Sequence, residues 1–463
     1  MSRSLVRDPI GRTLVAMAFP SMLGGLAFLG ILVVDAYFVG RLGTDALAVF
    51  GYLFPTIVCL MYLSISFGVG GGAVVGNLLG AGDARGGYRV ATSTLCLCLS
   101  VMGILCAAIG TASAWIFAWM GAPARLQPDL DAYLMPALVG LWLMSIGVAG
   151  GATLRSNGDA VSPALAMTAC AFINLLLDPV LIFGWGPFPA LGIAGAGYAS
   201  LTGAAAGAVV TLCVMARSGL LVALPRWLPE FWADARRVLA IAAPAAAIQL
   251  AMPLALFVVT SIVARHGDAA VAALGAGTRI ELLATVPIIA LSTTLSAFVA
   301  QNRGAALHER VFTAIEYSIH FSLAWCGILV IVTGLFAEEL TSAFSDDGAV
   351  AAPLRLYVTR VIPTVGFAGV VILSYGVLNA FERPLLASLV SLVRIGGFFL
   401  PAAVVGAALL GVEGAFTGIA LANVGAGVVF YLAIRRQLAS SLSRRDSTRL
   451  GEPVAAALGD RTG

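Results

Sequence analysis

Apolar stretches of about 20 or more residues recur from one end of this chain to the other, each long enough to cross a hydrocarbon core of ~30 Å. Twelve spans are predicted, at about 13–40, 47–80, 86–112, 128–155, 160–185, 192–217, 234–265, 270–303, 308–335, 350–380, 384–408 and 414–436. Composition agrees: 60% of the 463 residues are apolar, 11% are charged and the mean hydropathy is +1.00. A soluble chain carries about 25% charged residues. The alternating pattern of a membrane β-barrel is absent. The fold class is therefore all-α and polytopic. The first apolar stretch is too long for a cleavable signal and leads into further spans.

All 26 basic residues are arginine. Without lysine, the chain has neither a phosphate-binding Gly-Lys loop nor a lysine Schiff base, so ATP hydrolysis by that machinery is excluded. No cofactor is expected. The seven cysteines (59, 96, 98, 106, 170, 213 and 326) lie in apolar spans and read as small hydrophobes. Arginine also orients the chain. With the N-terminus cytoplasmic, the inner segments hold Arg3, Arg7, Arg12, Arg85, Arg89, Arg155, Arg217, Arg226, Arg236, Arg237, Arg303, Arg310, Arg383 and six tail arginines, against Arg41, Arg125 and Arg265 outside. The net charge of +3 thus reflects topology, and no nucleic-acid partner is expected. Trp115, Trp119, Trp185, Trp227 and Trp232 fall near span ends, as an interfacial belt would. The layout is a cytoplasmic N-terminus (1–12), a six-helix lobe (13–223), a charged cytoplasmic linker (224–237), a second six-helix lobe (238–436) and a polar cytoplasmic tail (437–463) expected to lack regular structure.

The second lobe partly repeats the first at an offset of 224 residues. "AFP" (18–20) falls on "AAP" (242–244), "VGRLGTDALA" (39–48) on "VARHGDAAVA" (263–272), and "VGNLLGAG" (75–82) on "VAQNRGAA" (299–306). Six spans is an even number, so both lobes insert the same way up, related by a pseudo-twofold along the membrane normal. Secondary transporters use that design, with a cavity between the halves.

The repeat fails at its carboxylates. Asp35 in span 1 falls on Val259 or Thr260, and Asp178 in span 5 falls near Leu400 to Ala402. An intramembrane carboxylate is costly, about 2.5–3.5 kcal/mol on insertion scales, and marks function by default. Asp35 lies roughly 9 Å and Asp178 roughly 12 Å below the outer ends of their spans, with Ser200 and Thr202 of span 6 at similar depth. Asn174 and Asp178 are four apart and share a helical face. Together these groups form a candidate proton- or cation-binding pocket. Taken singly, Asn174, Ser200 and Thr202 also fit simple helix-packing roles. Pro179 is expected to distort span 5 beside Asp178, and Pro20 to permit a bend in span 1.

Pro20 with "VVDAYFVGRLG" (33–43), "GNLLGAGD" (76–83), "NLLLDP" (174–179) and "LGIAGAGYAS" (191–200) resembles the multidrug and toxic compound extrusion (MATE) family over nearly the whole chain. Asp35, Asn174 and Asp178 together resemble its DinF-like branch. That resemblance implies two six-helix lobes in a V. It also implies a cation site in the N-terminal lobe, completed by a span 6 hydroxyl that is Ser200 or Thr202, and export of organic cations driven by proton or sodium entry. The NorM-like branch would show acidic residues in spans 7 and 10; here span 7 has no internal carboxylate and span 10 has none.

In the C-terminal lobe, Gln249 of span 7 and Glu281 of span 8 are candidate substrate contacts, Glu281 reading more readily as half of a structural ion pair. Arg394 and His320 read as structural. "GAGDARGGYR" (80–89) reads as a charged turn. The expected protein is a monomeric multi-pass exporter of small cationic drugs in a prokaryotic plasma membrane, the inner one where there are two, rather than an enzyme. The alternative is a lipid-linked oligosaccharide flippase, whose cavity should be basic.

Overall fold

The computed structural model describes residues 4–222, 228–344 and 348–459, with side chains as far as 436. In hydrocarbon each span must satisfy its own backbone, and the chain does so with helices. The N-terminal lobe holds α1 (Ile10–Gly40), α2 (Thr44–Gly80), α3 (Ala84–Thr111), the short α4 (Ser113–Trp119), α5 (Gln127–Ser156), α6 (Val161–Phe183) and α7 (Ile193–Arg217). The C-terminal lobe holds α8 (Leu228–Val263), α9 (Asp268–Gly304), α10 (His308–Ser342), α11 (Gly348–Arg360), α12 (Val365–Ala380), α13 (Pro384–Leu392), a π-helical stretch (Val393–Phe399) and α14 (Leu400–Gly459). A 3-10 turn at Ile362–Thr364 joins α11 to α12, which together make one span.

Eleven helical stretches among the described residues are long and apolar enough to cross a membrane, and the last, Pro384–Arg436, counts twice. Its backbone leaves helical geometry at Leu410 and Gly411. Beyond that turn Gly414 lies against Gly406 and Gly418 against Ala402, so the two arms run antiparallel in close contact. Twelve crossings result, six per lobe, as the sequence leads one to expect.

The duplication is visible in backbone detail. Gly43 and Gly267 both have positive φ, as do Gly82 and Ala306, and Gly158 and Glu382; each pair is separated by the same 224 residues. Ala306 and Glu382 hold a left-handed conformation that favours glycine, because the turn geometry of the first lobe is repeated there.

The pseudo-twofold axis passes between α2 and α9. A Cβ on Gly80 would meet the Gln301 carbonyl oxygen, and one on Gly304 the Asn77 carbonyl oxygen. Asn77 Nδ2 donates to the Ala380 carbonyl at 2.9 Å, and Gln301 Nε2 to the Ser156 carbonyl at 2.6 Å. Each contact maps onto the other by the 224-residue shift. Asn302 and Arg310 also donate to the Leu5 carbonyl, at 3.0 and 3.1 Å. Every hydrogen bond between the lobes among the described residues lies at this one end, which also carries the N-terminus.

Two segments depart from expectation. The linker at 224–237 is helical from Leu228 on, because Arg89 of α3 grips Asp234 with two 3.0 Å hydrogen bonds and Ser93 donates to the same carboxylate at 3.1 Å. Residues 224–227 lie outside the described residues. The tail expected to lack regular structure keeps helical backbone to Gly459, carried by leucine, alanine and arginine, which favour helix.

Gly80→Ala forces a methyl group into the backbone of the other lobe, and overpacking of this kind costs about 1–3 kcal/mol. The variant should melt measurably below the native chain in detergent; an unchanged melting temperature would contradict the close lobe contact.

Candidate functional site

Small residues assemble the site. Helix α7 carries "GAGYASLTGAAAG" (195–207), and this stripe lets neighbouring backbones approach. A Cβ at Gly203 would sit 2.6 Å from the Cys170 carbonyl oxygen of α6, and one at Gly197 2.8 Å from the Tyr133 carbonyl oxygen of α5. Across from them Gly24 of α1 packs on the backbone of Ala164. Three helices are thereby drawn around α6, whose Asn174 and Asp178 face inward one turn apart.

The structure brings Asp35, Asn174, Asp178 and Ser200 together. Asp35 is 3% exposed, Asn174 1% and Asp178 0%. Asn174 Nδ2 donates to Ser200 Oγ at 3.3 Å, and Ser200 Oγ donates to Asp35 Oδ2 at 3.3 Å. The Asp178 carboxyl faces that of Asp35. Asp35 Oδ1, Asn174 Oδ1 and both Asp178 oxygens have no hydrogen-bond partner among the described residues. A buried acceptor without a donor costs about 1–3 kcal/mol, and more when charged. Two adjacent carboxylates in so dry a place cannot both stay ionised unless a cation joins them. The donor set of carboxylate, amide and hydroxyl oxygens suits either a proton or a hard cation such as sodium.

Thr202 is not part of this group. Its hydroxyl donates to the Tyr198 carbonyl of its own helix at 2.8 Å and is exposed. Two residues beyond Ser200, it points to the other side of α7, so the hydroxyl left open between Ser200 and Thr202 is Ser200. Pro20 and Pro179 sit within α1 and α6, and helical dihedrals persist through both.

Tyr133 of α5 completes the cluster and carries no sequence motif. It is 2% exposed, faces both carboxyls and stacks edge-on against Phe50 at 5.9 Å. The signal that finds it is the repeat, since Tyr133 falls on Tyr357. Beside the cluster lies a small cleft of about 60 Å³, partly open to the surroundings. Phe28, Phe50, Phe54, Ile57 and Met61 line it, with Asp35, Asn174 and Ser200 in its wall. Binding sites for small organic molecules have this character, apolar with a few polar groups.

The C-terminal lobe has a different polar group. Tyr357 of α11, 1% exposed, donates a short hydrogen bond to Glu281 Oε2 of α9. Gly277, one turn before Glu281, leaves room for the tyrosine ring. Arg394 faces Glu281 from the π-helical stretch, and its Nη1 donates to the Tyr375 hydroxyl at 3.3 Å. No ion pair within 4.0 Å joins Arg394 to Glu281 among the described residues. Gln249 is half-buried on α8, and no hydrogen bond among the described residues links it to this group.

A duplicated twelve-helix membrane protein with a polar cluster enclosed in one lobe belongs among the small-molecule transporters. The MatE family model matches residues 20–180 and 244–405, one stretch per lobe, and the chain belongs to the MATE family of transporters. It is 35% identical over 440 residues to the FAD transporter of Shewanella oneidensis, covering 93% of this chain and 96% of that one. It is 22% identical over 414 residues to the multidrug export protein MepA of Staphylococcus saprophyticus, covering 88% and 90%. Among solved structures, the Vibrio cholerae MATE transporter VcmN in its bent form superposes with a TM-score of 0.88 at 25% identity, covering 93% of this chain and 97% of that one. The V of two six-helix lobes is thus the fold of this chain. MATE proteins are transporters, not enzymes.

Ser200→Ala removes the link between Asp35 and Asn174, and a lost hydrogen bond of about 1 kcal/mol corresponds to roughly fivefold in rate or affinity. Export by Ser200→Ala should fall by that order while Thr202→Val exports at the native rate. Equal losses in the two variants would contradict the assignment.

Proposed function

We propose that this chain is a cation-coupled exporter in which Asp35, Asn174, Asp178 and Ser200 take up a proton or a sodium ion in exchange for cargo. The buried carboxyl oxygens of Asp35 and Asp178 that accept no hydrogen bond among the described residues carry this reading. Facing the side richer in the coupling ion, the pair binds the cation. Its charge is then neutralised, α1 and α6 repack around Pro20 and Pro179, and cargo leaves. Facing the other side, the cation departs and the site is ready for the next cargo. The asymmetry of the repeat supports a specific task, since a purely architectural carboxylate would recur in both lobes.

For the cargo, flavin adenine dinucleotide stands first. The 35% identity to a named FAD transporter over nearly its full length outweighs the 22% to a multidrug export protein. Organic cations stand second, favoured by the acidic character of the N-terminal lobe. The membrane proposed is a prokaryotic plasma membrane, the inner one where there are two, with both termini cytoplasmic and the chain acting as a monomer. In that orientation the joined ends of the lobes are cytoplasmic and the V faces outward.

The test is export from proteoliposomes holding either FAD or ethidium, under an imposed proton gradient and, separately, a sodium gradient. The native chain should move FAD under one gradient, and Asp178→Asn and Asp35→Asn should abolish that movement while folding normally. Gradient-driven export that persists undiminished in Asp178→Asn would overturn the coupling role. Ethidium export without FAD export would exchange the two cargo readings.

A further inference from the structure

The two lobes place their polar groups at complementary positions of one repeated framework. At the 224-residue offset Tyr357 falls on Tyr133, Glu281 falls on Ile57, and Arg394 falls on Cys170. Tyr133, Ile57 and Cys170 all line the cavity of the N-terminal lobe. In the reverse direction Asp35, Asn174 and Ser200 fall on Val259, Phe398 and Val424. Around the position equivalent to that cavity the C-terminal lobe therefore carries the tyrosine and an arginine but no aspartate.

Arg394 is the unusual member. It is 9% exposed, yet its guanidinium makes a single side-chain hydrogen bond among the described residues, to Tyr375. A guanidinium has five N–H donors in a planar fork, matched to the oxygens of carboxylates and phosphates. Donors left unspent on such a fork are available to the oxygens of an anion. Glu281 lies opposite but engages Tyr357 rather than closing on Arg394. The residue stands on the π-helical stretch Val393–Phe399, a wide turn of a kind found often at functional sites.

We propose that Arg394, with the Tyr375 hydroxyl, is the subsite that receives the phosphate end of the cargo. The proposal rests on the flavin dinucleotide reading above. It divides the labour between the lobes: the N-terminal carboxylates handle the coupling cation, and the C-terminal arginine selects a cargo that carries phosphate. Glu281 holds the guanidinium in place by attraction when no cargo is bound. Tyr357 keeps the Glu281 carboxyl turned aside, so the guanidinium fork stays open.

The experiment is equilibrium binding to the purified full chain in detergent, read by quenching of flavin fluorescence, with FAD, FMN and riboflavin as probes. Riboflavin carries the same ring system without phosphate. Arg394→Gln should weaken FAD and FMN binding by about tenfold or more, the scale of a lost charge-assisted hydrogen bond, and leave riboflavin binding unchanged. Tyr375→Phe, which keeps the guanidinium and the packing, should show a smaller loss of the same selectivity. Native FAD affinity in Arg394→Gln would overturn the proposal while leaving the cargo reading intact. So would equal losses for FAD and riboflavin, which mark a packing role. Failure of the native chain to bind FAD at all would overturn the cargo reading itself, and the subsite with it.

Discussion

A carboxylate enclosed in a membrane protein needs a cation, and the architecture of this chain follows from that need. Asp35 and Asp178 sit together, buried among the helices, with oxygens unpaired among the described residues. Their combined charge is tolerable only when a proton or metal ion is shared between them. A site with that property has two stable occupancies, and a switch between occupancies is what an exchanger requires. The surrounding residues keep the site dry and close: glycines on α7 bring three helices within backbone contact, and Tyr133 and Phe50 wall off one side.

The duplication supplies the second requirement of the proposed exchange, a body built in two parts. At the end that carries the N-terminus the lobes share paired contacts related by the twofold axis, glycine against carbonyl and amide side chain against helix terminus. Away from that end the lobes also pack, with Gly25 of α1 against Val286 of α9 and Gly70 of α2 against the Val238 carbonyl of α8. Arg89 and Asp234 tie the start of α8 to α3, so the first turns of the second half travel with the first. Covalent continuity between the lobes is thereby kept away from the cavity.

Much of this was legible in the sequence because membrane helices obey simple constraints. Span length and the arginine bias follow from bilayer thickness and charge cost, and the 224-residue offset survived in residues such as Gly80 and Gly304, whose contacts forbid a side chain. Asp35, Asn174 and Asp178 were legible because charged and polar groups are rare in hydrocarbon. Choosing Ser200 over Thr202 was not, since two residues on one helix differ only in the direction they face, and direction depends on packing. Tyr133 was missed because an aromatic residue in a span is ordinary, and its role appears only once its ring is placed against two carboxyls. Arg394 read as structural because its unspent donors and its π-helical setting are properties of the fold rather than of any short motif.

The central claim is that cargo and cation compete through the Asp35–Asp178 pair. It is tested most directly by mixing purified chain with cargo in weakly buffered solution and following proton release with a pH indicator, with sodium absent and present. The account predicts that cargo binding expels protons, or sodium when sodium is the coupling ion, and that this release disappears when both carboxyls are amidated. Tight cargo binding that expels neither ion at any pH would contradict it.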